Sequence, residues 1–120
     1  MAYVCKSPQT YQGKSVGTGE CVAFVQKATG APPTKEWTEG DKVKDVCLTL
    51  ATGTAVATFV NGKYPNHSSG NHAAIFVKGD AKGIDVWDQW RGHPVQRRHI
   101  LFRYGKGSGS NDASAFSVIK

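Results

Sequence analysis

Residues 19–26 read Gly-Glu-Cys-Val-Ala-Phe-Val-Gln and follow a loop rich in glycine, threonine and serine. From Cys21 onward the apolar residues recur at the spacing of one helix face, which predicts an amphipathic helix ending near residue 28 or 29. Gly30 and the two prolines that follow it closely stop that helix. Thr18 is the expected N-cap residue. The pattern therefore places a cysteine in the first turn of a helix.

Two later apolar stretches predict neighbouring strands with polar residues at their ends. The first stretch begins at His72, and the second finishes with Asp88 and Gln89 near its end. The glycine-bounded residues 79–83 predict a hairpin turn between them. Counting outward from this turn places His72 opposite Gln89, with Asp88 about one residue away. Asp88 is the favoured partner of His72, and Asp85 and Gln89 remain alternatives.

The rest of the chain predicts one helix followed by an antiparallel meander. Residues 1–19 are expected to be an irregular lead-in, and residues 31–47 a loop with one helical turn near 34–37. The predicted strands cover residues 54–60, 72–77, 84–90, 99–104 and 115–119. This order of elements indicates an α+β fold. With 120 residues, the chain is expected to form a single domain over 1–120.

Composition restricts the classes of partner. Fifteen basic and nine acidic residues give a net charge of +6, which favours an anionic partner such as an acidic cell-wall polymer. The densest basic cluster, at residues 91–103, is divided between two faces of a strand, so nucleic-acid binding is not expected. No apolar run is long enough to span a membrane. The first residues lack the pattern of a secretory signal peptide, so export by a dedicated system is expected.

The cysteine, the histidine and the acid together predict nucleophilic catalysis. A thiol attacks as its thiolate, and both a helix N-terminus and a nearby imidazolium favour that anion. His72 can supply the imidazolium if its strand packs against the helix start, and Asp88 can orient the ring. Read singly, Cys21 could be a buried apolar residue and His72 a structural one. Their joint occurrence in this order favours a cysteine hydrolase.

Three sequence segments resemble the CHAP and NlpC-type peptidoglycan amidase and endopeptidase superfamily. They are Gly-Glu-Cys-Val-Ala-Phe-Val-Gln at 19–26, Asn-His-Ala-Ala-Ile-Phe-Val at 71–77 and Val-Trp-Asp-Gln-Trp at 86–90. Trp90 stands where many CHAP members carry an asparagine. The small size and the absent signal peptide also resemble the amidase effectors that bacteria inject through type VI secretion. A phage-derived lysin fragment, or an effector with another amide substrate, fits these features nearly as well.

The resemblance implies a compact papain-like fold with the catalytic helix packed on an antiparallel sheet. It also implies that Cys21 attacks an amide of the peptidoglycan stem or cross-link peptide, with His72 and Asp88 assisting. An oxyanion donor is expected from Tyr11 or Gln12 in the lead-in. Further expectations are a cognate immunity protein, a monomeric state, and action in the periplasm or cell wall of a target bacterium.

Several features leave alternatives open. Trp37 and Gln89 are candidate substrate-contacting residues, although Trp37 could equally cover the core. Cys5 and Cys47 are expected either to form a disulfide or to remain as two buried thiols. The histidines and cysteines lack metal-ligand spacing, so neither a metal nor a cofactor is expected. The alternative functions are a protease or deamidase that acts on a protein, and a non-catalytic basic binding module.

Overall fold

A computed structural model describes residues 2–65, 67 and 69–120 of the chain. The secondary structure comprises, in chain order, helix α1 (Cys21–Thr29), strand β1 (Glu39–Lys42), helix α2 (Val43–Val46) and strands β2 (Ala55–Thr58), β3 (Ala73–Gly79), β4 (Gly83–Trp90), β5 (His93–Leu101) and β6 (Phe116–Ile119). Short 3-10 turns lie at Pro8–Tyr11, Thr34–Glu36, Gly109–Asn111 and Ala113–Ala115. No helix within these described ranges has the length and apolar character needed to cross a membrane.

Helix α1 begins and ends close to the predicted positions. It starts at Cys21, and its C-cap Gly30 has a φ of 77°, a left-handed conformation that glycine adopts without strain. The N-terminal boundary differs from the prediction, because Glu20 rather than Thr18 is the N-cap. Thr18 instead accepts a long hydrogen bond of 3.4 Å from the Glu20 amide. Cys21 is consequently the first residue of the helix, two positions closer to its positive end than a cap at residue 18 implies.

The strands form one six-stranded sheet in the order β1-β6-β2-β3-β4-β5, and its strand pairs are antiparallel. β2 to β5 make the predicted meander, while β6 returns to pair with β2. A β-bulge between Phe76 and Lys78 shifts the register of β3 against β4, so that Ile75 pairs with Trp87. The α+β prediction, with a helix on an antiparallel sheet, is confirmed.

The two faces of the sheet carry separate apolar clusters, because successive side chains of a strand point to opposite faces. One cluster packs Phe24 and Val25 of α1 against Ile75 and Trp87. The other gathers the alternate positions, including Phe76. Helix α1 therefore lies on one face only, and its N-terminus lies beside the ends of β3 and β4 that hold the polar residues.

The same division of the core bears on the predicted disulfide. Cys5 belongs to the cluster under α1, and Cys47 belongs to the cluster on the opposite face. Both are buried free thiols. The structure therefore shows the alternative of two buried thiols, and a Cys5–Cys47 disulfide in an oxidising compartment stays a prediction.

Two other local predictions require correction. Residues 31–47 are not only a loop, because Glu39–Lys42 forms β1 at the sheet edge and a short helix follows it. The sequence of β1 has no apolar alternation that would predict a strand. β1 forms because it pairs with β6, which lies at the other end of the chain. β5 begins at His93 rather than His99, since Gly92 turns the chain with a φ of 82°.

Candidate active site

Cys21 lies half-buried at the first position of α1, in contact with the start of β3. Burial raises the pKa of the Cys21 thiol, but a hydrogen bond from His72 and its positive charge oppose this effect. Hydrogen bonds from the Ala73 backbone and from Tyr64 act in the same direction, and the net result is a lowered pKa. The surroundings of Cys21 therefore favour the thiolate, the form in which cysteine is a nucleophile.

His72 connects the cysteine to a buried carboxylate. Its Nε2 lies 2.7 Å from Asp88 Oδ2, so Nδ1 is the ring nitrogen left to face Cys21. Burial lowers the pKa of His72, but the hydrogen bonds to Asp88 and Cys21 outweigh burial and raise the pKa from 6.5 to about 9. A lowered cysteine pKa and a raised histidine pKa together favour a thiolate–imidazolium pair.

Asp88 is fully buried and is held from two sides. Besides its contact with His72, it accepts two hydrogen bonds of 3.0 Å from Arg98 Nε and one of 2.6 Å from Arg98 Nη2. Burial opposes ionisation of Asp88, yet the bonds from His72 and Arg98 lower the pKa of its carboxyl. The sequence grouped Arg98 with a basic cluster and missed this contact, which depends on the register of β4 against β5.

The alternative orienters of His72 have other partners. Asp85 lies on the same strand but contacts Arg97 and His99, with oxygen–nitrogen distances of 2.9 Å and 2.6 Å. The Asp85 carboxyl is partly exposed, and its side chain is directed to a surface ion-pair group rather than to His72. Asp88 is therefore the carboxylate that the structure brings to His72.

Gln89 is fully buried and fastens the lead-in to the sheet. Its Oε1 accepts from the Val16 amide at 2.9 Å, while its Nε2 donates to the Val16 and Glu20 carbonyls at 2.8 Å each. These bonds and its full burial direct the Gln89 side chain to the lead-in backbone, away from solvent. It fixes the backbone that leads directly into Cys21.

We expect Gln89→Leu to destabilise the fold by about 1–3 kcal/mol, because the buried Val16 amide loses its acceptor and the Val16 and Glu20 carbonyls each lose one donor. Urea unfolding monitored by circular dichroism measures this loss. Gln12→Ala is the matched control, since Gln12 is exposed, and its unfolding midpoint should stay close to that of the native chain. An unchanged midpoint for Gln89→Leu would show that Gln89 does not hold the lead-in.

The other residues expected to contact substrate are placed differently by the structure. Trp37 is fully buried and donates its Nε1–H to the Pro32 carbonyl at 2.8 Å, so it is a core residue. Tyr11 packs edge-on against Phe24, with ring centroids 5.5 Å apart. Gln12 is exposed in the lead-in and makes no contact with Cys21 among the described hydrogen bonds. The sequence pattern of the lead-in could not separate packing from function.

Tyr64 and Asn71 lie at the site, although the sequence pattern did not predict them there. Tyr64 begins the predicted polar loop 64–70, and Asn71 follows it. The Tyr64 hydroxyl is 3.9 Å from Cys21 Sγ, and Asn71 Nδ2 donates to that hydroxyl at 3.2 Å. Tyr64 is 7% exposed and therefore belongs to the core, although its neighbours in sequence are polar. Only the return of the loop to the helix start identifies this contact.

A cavity of about 360 Å³ opens beside His72. Trp90 forms part of its wall and is 39% exposed, with the His93 ring stacked on it at a centroid distance of 4.0 Å. The Arg98 guanidinium lies 4.9 Å from the centre of the same Trp90 ring. His72 and Arg98 line this cavity, whereas Cys21 and Asp88 are not among its lining residues. Among residues 2–65, 67 and 69–120, no three His, Cys, Asp or Glu side chains gather as a metal site.

Comparisons with known proteins show the family of the chain. A solved structure of type 6 secretion amidase effector 2 superposes with a TM-score of 0.87 at 34% identity, covering 98% of this chain and 94% of that one. The type VI secretion amidase effector 2 protein of Salmonella typhi is 41% identical over the whole of both chains. Domesticated amidase effector 2 of Ixodes scapularis is 38% identical over 89% of this chain and 76% of its own. Residues 1–119 match the family model for domesticated amidase effector 2. The predicted resemblance to type VI secretion amidase effectors is thus confirmed, and the chain belongs to the amidase effector 2 family.

Proposed function

We propose that this protein hydrolyses amide bonds in the stem or cross-link peptides of peptidoglycan, with Cys21 as nucleophile, His72 as acid and base, and Asp88 as orienter. Membership of an amidase effector family supports amide hydrolysis. The observation that carries the assignment of residues is the continuous contact from Cys21 through His72 to the buried Asp88. The net charge of +6 suits the anionic cell wall as a substrate.

In the first half of the reaction the Cys21 thiolate attacks the carbonyl carbon of the scissile amide. The oxyanion that forms accepts from the backbone N–H of Cys21, because the first amides of a helix have no intrahelical acceptor. The His72 imidazolium then transfers its proton to the leaving nitrogen as the C–N bond breaks. The products of this half-reaction are a free amine and a thioester on Cys21.

In the second half His72 is neutral and accepts a proton from water. The resulting hydroxide-like oxygen attacks the thioester, the C–S bond breaks, and a carboxylate leaves. Asp88 stays ionised throughout, since Arg98 holds its charge, and it stabilises the imidazolium each time that His72 gains a proton. The cycle ends with the thiolate–imidazolium pair restored.

The test is digestion of purified Gram-negative peptidoglycan, followed by new free amines and by the masses of released fragments. We expect the native chain to release both, and Cys21→Ala to release neither. The fragment masses identify the bond that is cut. Absence of amines and fragments with the folded native chain would overturn peptidoglycan as the substrate and favour the alternative of a protein amide.

The biological setting follows from the same proposal. The relatives are named as type VI secretion effectors, so we place the activity in the periplasm or cell wall of a target bacterium after export. A producing cell has the same polymer, and a cognate immunity protein that covers the cavity beside His72 would protect it. The three reactive groups come from one chain, so a monomer suffices for the chemistry.

A further inference from the structure

Tyr64 lies next to the proposed nucleophile, Cys21, and has no part in the proposed reaction steps. It lies between β2 and β3, and its hydroxyl oxygen is 3.9 Å from Cys21 Sγ, within hydrogen-bonding distance for sulfur. At 7% exposure the phenol has little contact with water. A buried hydroxyl needs a partner, and the sulfur is one of two that the structure provides.

The ring of Tyr64 is held in place by the core. It packs edge-on against Trp37, with centroids 5.1 Å apart. Trp37 is itself fully buried and is tied to the Pro32 carbonyl at 2.8 Å. Because Trp37 follows the end of α1 and Tyr64 reaches its beginning, the position of the hydroxyl is fixed relative to the helix that carries Cys21.

The second partner of the hydroxyl sets its direction. Asn71 Nδ2 donates to the Tyr64 oxygen at 3.2 Å, which leaves the hydroxyl hydrogen free to point towards Cys21. Burial raises the pKa of Tyr64, and the charge on Cys21 raises it further. The phenol therefore stays protonated and can only donate to the sulfur, not accept its proton.

We infer that Tyr64 is a positioning residue for the nucleophile. Tyr64 donates its O–H to the Cys21 thiolate and holds the sulfur in place while a substrate is absent. This inference rests on the proposed function. As the C–S bond forms, the negative charge moves from sulfur to the carbonyl oxygen, and the bond from Tyr64 weakens. Tyr64 therefore acts on the fraction of thiolate rather than on substrate binding.

Other charged groups near the Cys21 sulfur also influence the pKa of its thiol. His72 faces it from β3, with Asp88 behind His72 on β4, and Glu20 precedes it in the chain. Glu20 is directed to Arg91 at 3.7 Å, on the exposed side. Removing the Tyr64 hydroxyl changes none of these charges, so any shift in the Cys21 pKa reports the lost hydrogen bond.

The experiment compares the native chain with Tyr64→Phe, which keeps the ring and its packing on Trp37. The rate of Cys21 alkylation by iodoacetamide is followed by peptide mass spectrometry from about pH 5 to pH 9, because only the thiolate reacts. We expect the midpoint of the alkylation profile to rise by about one pH unit in the variant. The acid limb of peptidoglycan cleavage should move with it, with little change in KM.

Matched variants make the outcome specific. Tyr3→Phe removes a hydroxyl from another tyrosine packed on the same cluster and should leave the profile unchanged. Asn71→Leu keeps the Tyr64 hydroxyl but removes its orienting donor, and we expect a smaller shift in the same direction. An identical profile for native and Tyr64→Phe, with a native thiol that reacts fast at acidic pH, would overturn the inference alone. Slow alkylation of Cys21 in the native chain would overturn the proposed function as well.

Discussion

Cys21→Ser should reduce peptidoglycan cleavage by about 10⁴–10⁶-fold, the loss that follows when the nucleophile of a coupled catalytic group is removed. The replacement keeps the size of the side chain and its place at the start of α1. A serine hydroxyl is a far weaker acid than a thiol, so the surroundings that ionise Cys21 cannot ionise it. The charge pair with His72 is lost together with the nucleophile.

The measurement is the rate of amine release, with unfolding in urea as the check on the fold. Cys21 is half-buried and the hydroxyl is a modest change, so we expect the unfolding midpoint to remain close to that of the native chain. Cys47→Ser is the matched control, because Cys47 lies on the opposite face of the sheet and should leave the rate largely intact. Residual activity of Cys21→Ser within tenfold of the native rate would contradict nucleophilic catalysis by this residue.

Asp88→Asn should lower the cleavage rate by about 10²–10⁴-fold, because the neutral amide no longer stabilises the imidazolium or selects the correct tautomer of His72. The variant should also alter the pH profile. Burial lowers the pKa of His72, but the bonds and charges of Asp88 and Cys21 together raise it to about 9. The native activity should therefore fall as pH rises through about 9 and the imidazolium loses its proton. Without the carboxylate the pKa of His72 falls, and this alkaline limb should move to lower pH.

The pH–rate profile of amine release separates these effects from a loss of fold. Asp85→Asn removes the other carboxylate of the same strand, which pairs with Arg97 and His99 at the surface. We expect its rate and its alkaline limb to match those of the native chain. An alkaline limb that stays near pH 9 in Asp88→Asn would show that the carboxylate does not set the protonation of His72.

The proposed mechanism depends on a chain of four residues rather than on a pair. Arg98 holds Asp88 ionised in a buried position, where a carboxylate alone would favour its neutral form. Asp88 keeps His72 protonated, and His72 keeps Cys21 deprotonated. The net charge of the four groups is then close to zero, and this charge pairing offsets part of the desolvation penalty of burying them together.

The sequence alone was sufficient for the features that depend on local patterns. The apolar spacing after Cys21 predicted α1, and the β-branched and aromatic runs predicted the central strands. His72 and Asp88 stood at the ends of two strands joined by a short turn, so simple counting placed them close together. These predictions succeeded because helix periodicity, strand alternation and hairpin pairing act over a few residues.

The tertiary structure decided everything that depends on contacts between distant segments. Adjacent side chains in β4 point to opposite faces, so Asp88 meets His72 while Gln89 fastens the lead-in, and no local pattern tells these roles apart. Arg98 reaches Asp88 through the register of two strands, and Tyr64 reaches Cys21 through the return of a loop. Each of these contacts is set by the packing of the whole sheet against α1. This is why the sequence predicted Cys21, His72 and Asp88 but neither Tyr64 nor Arg98.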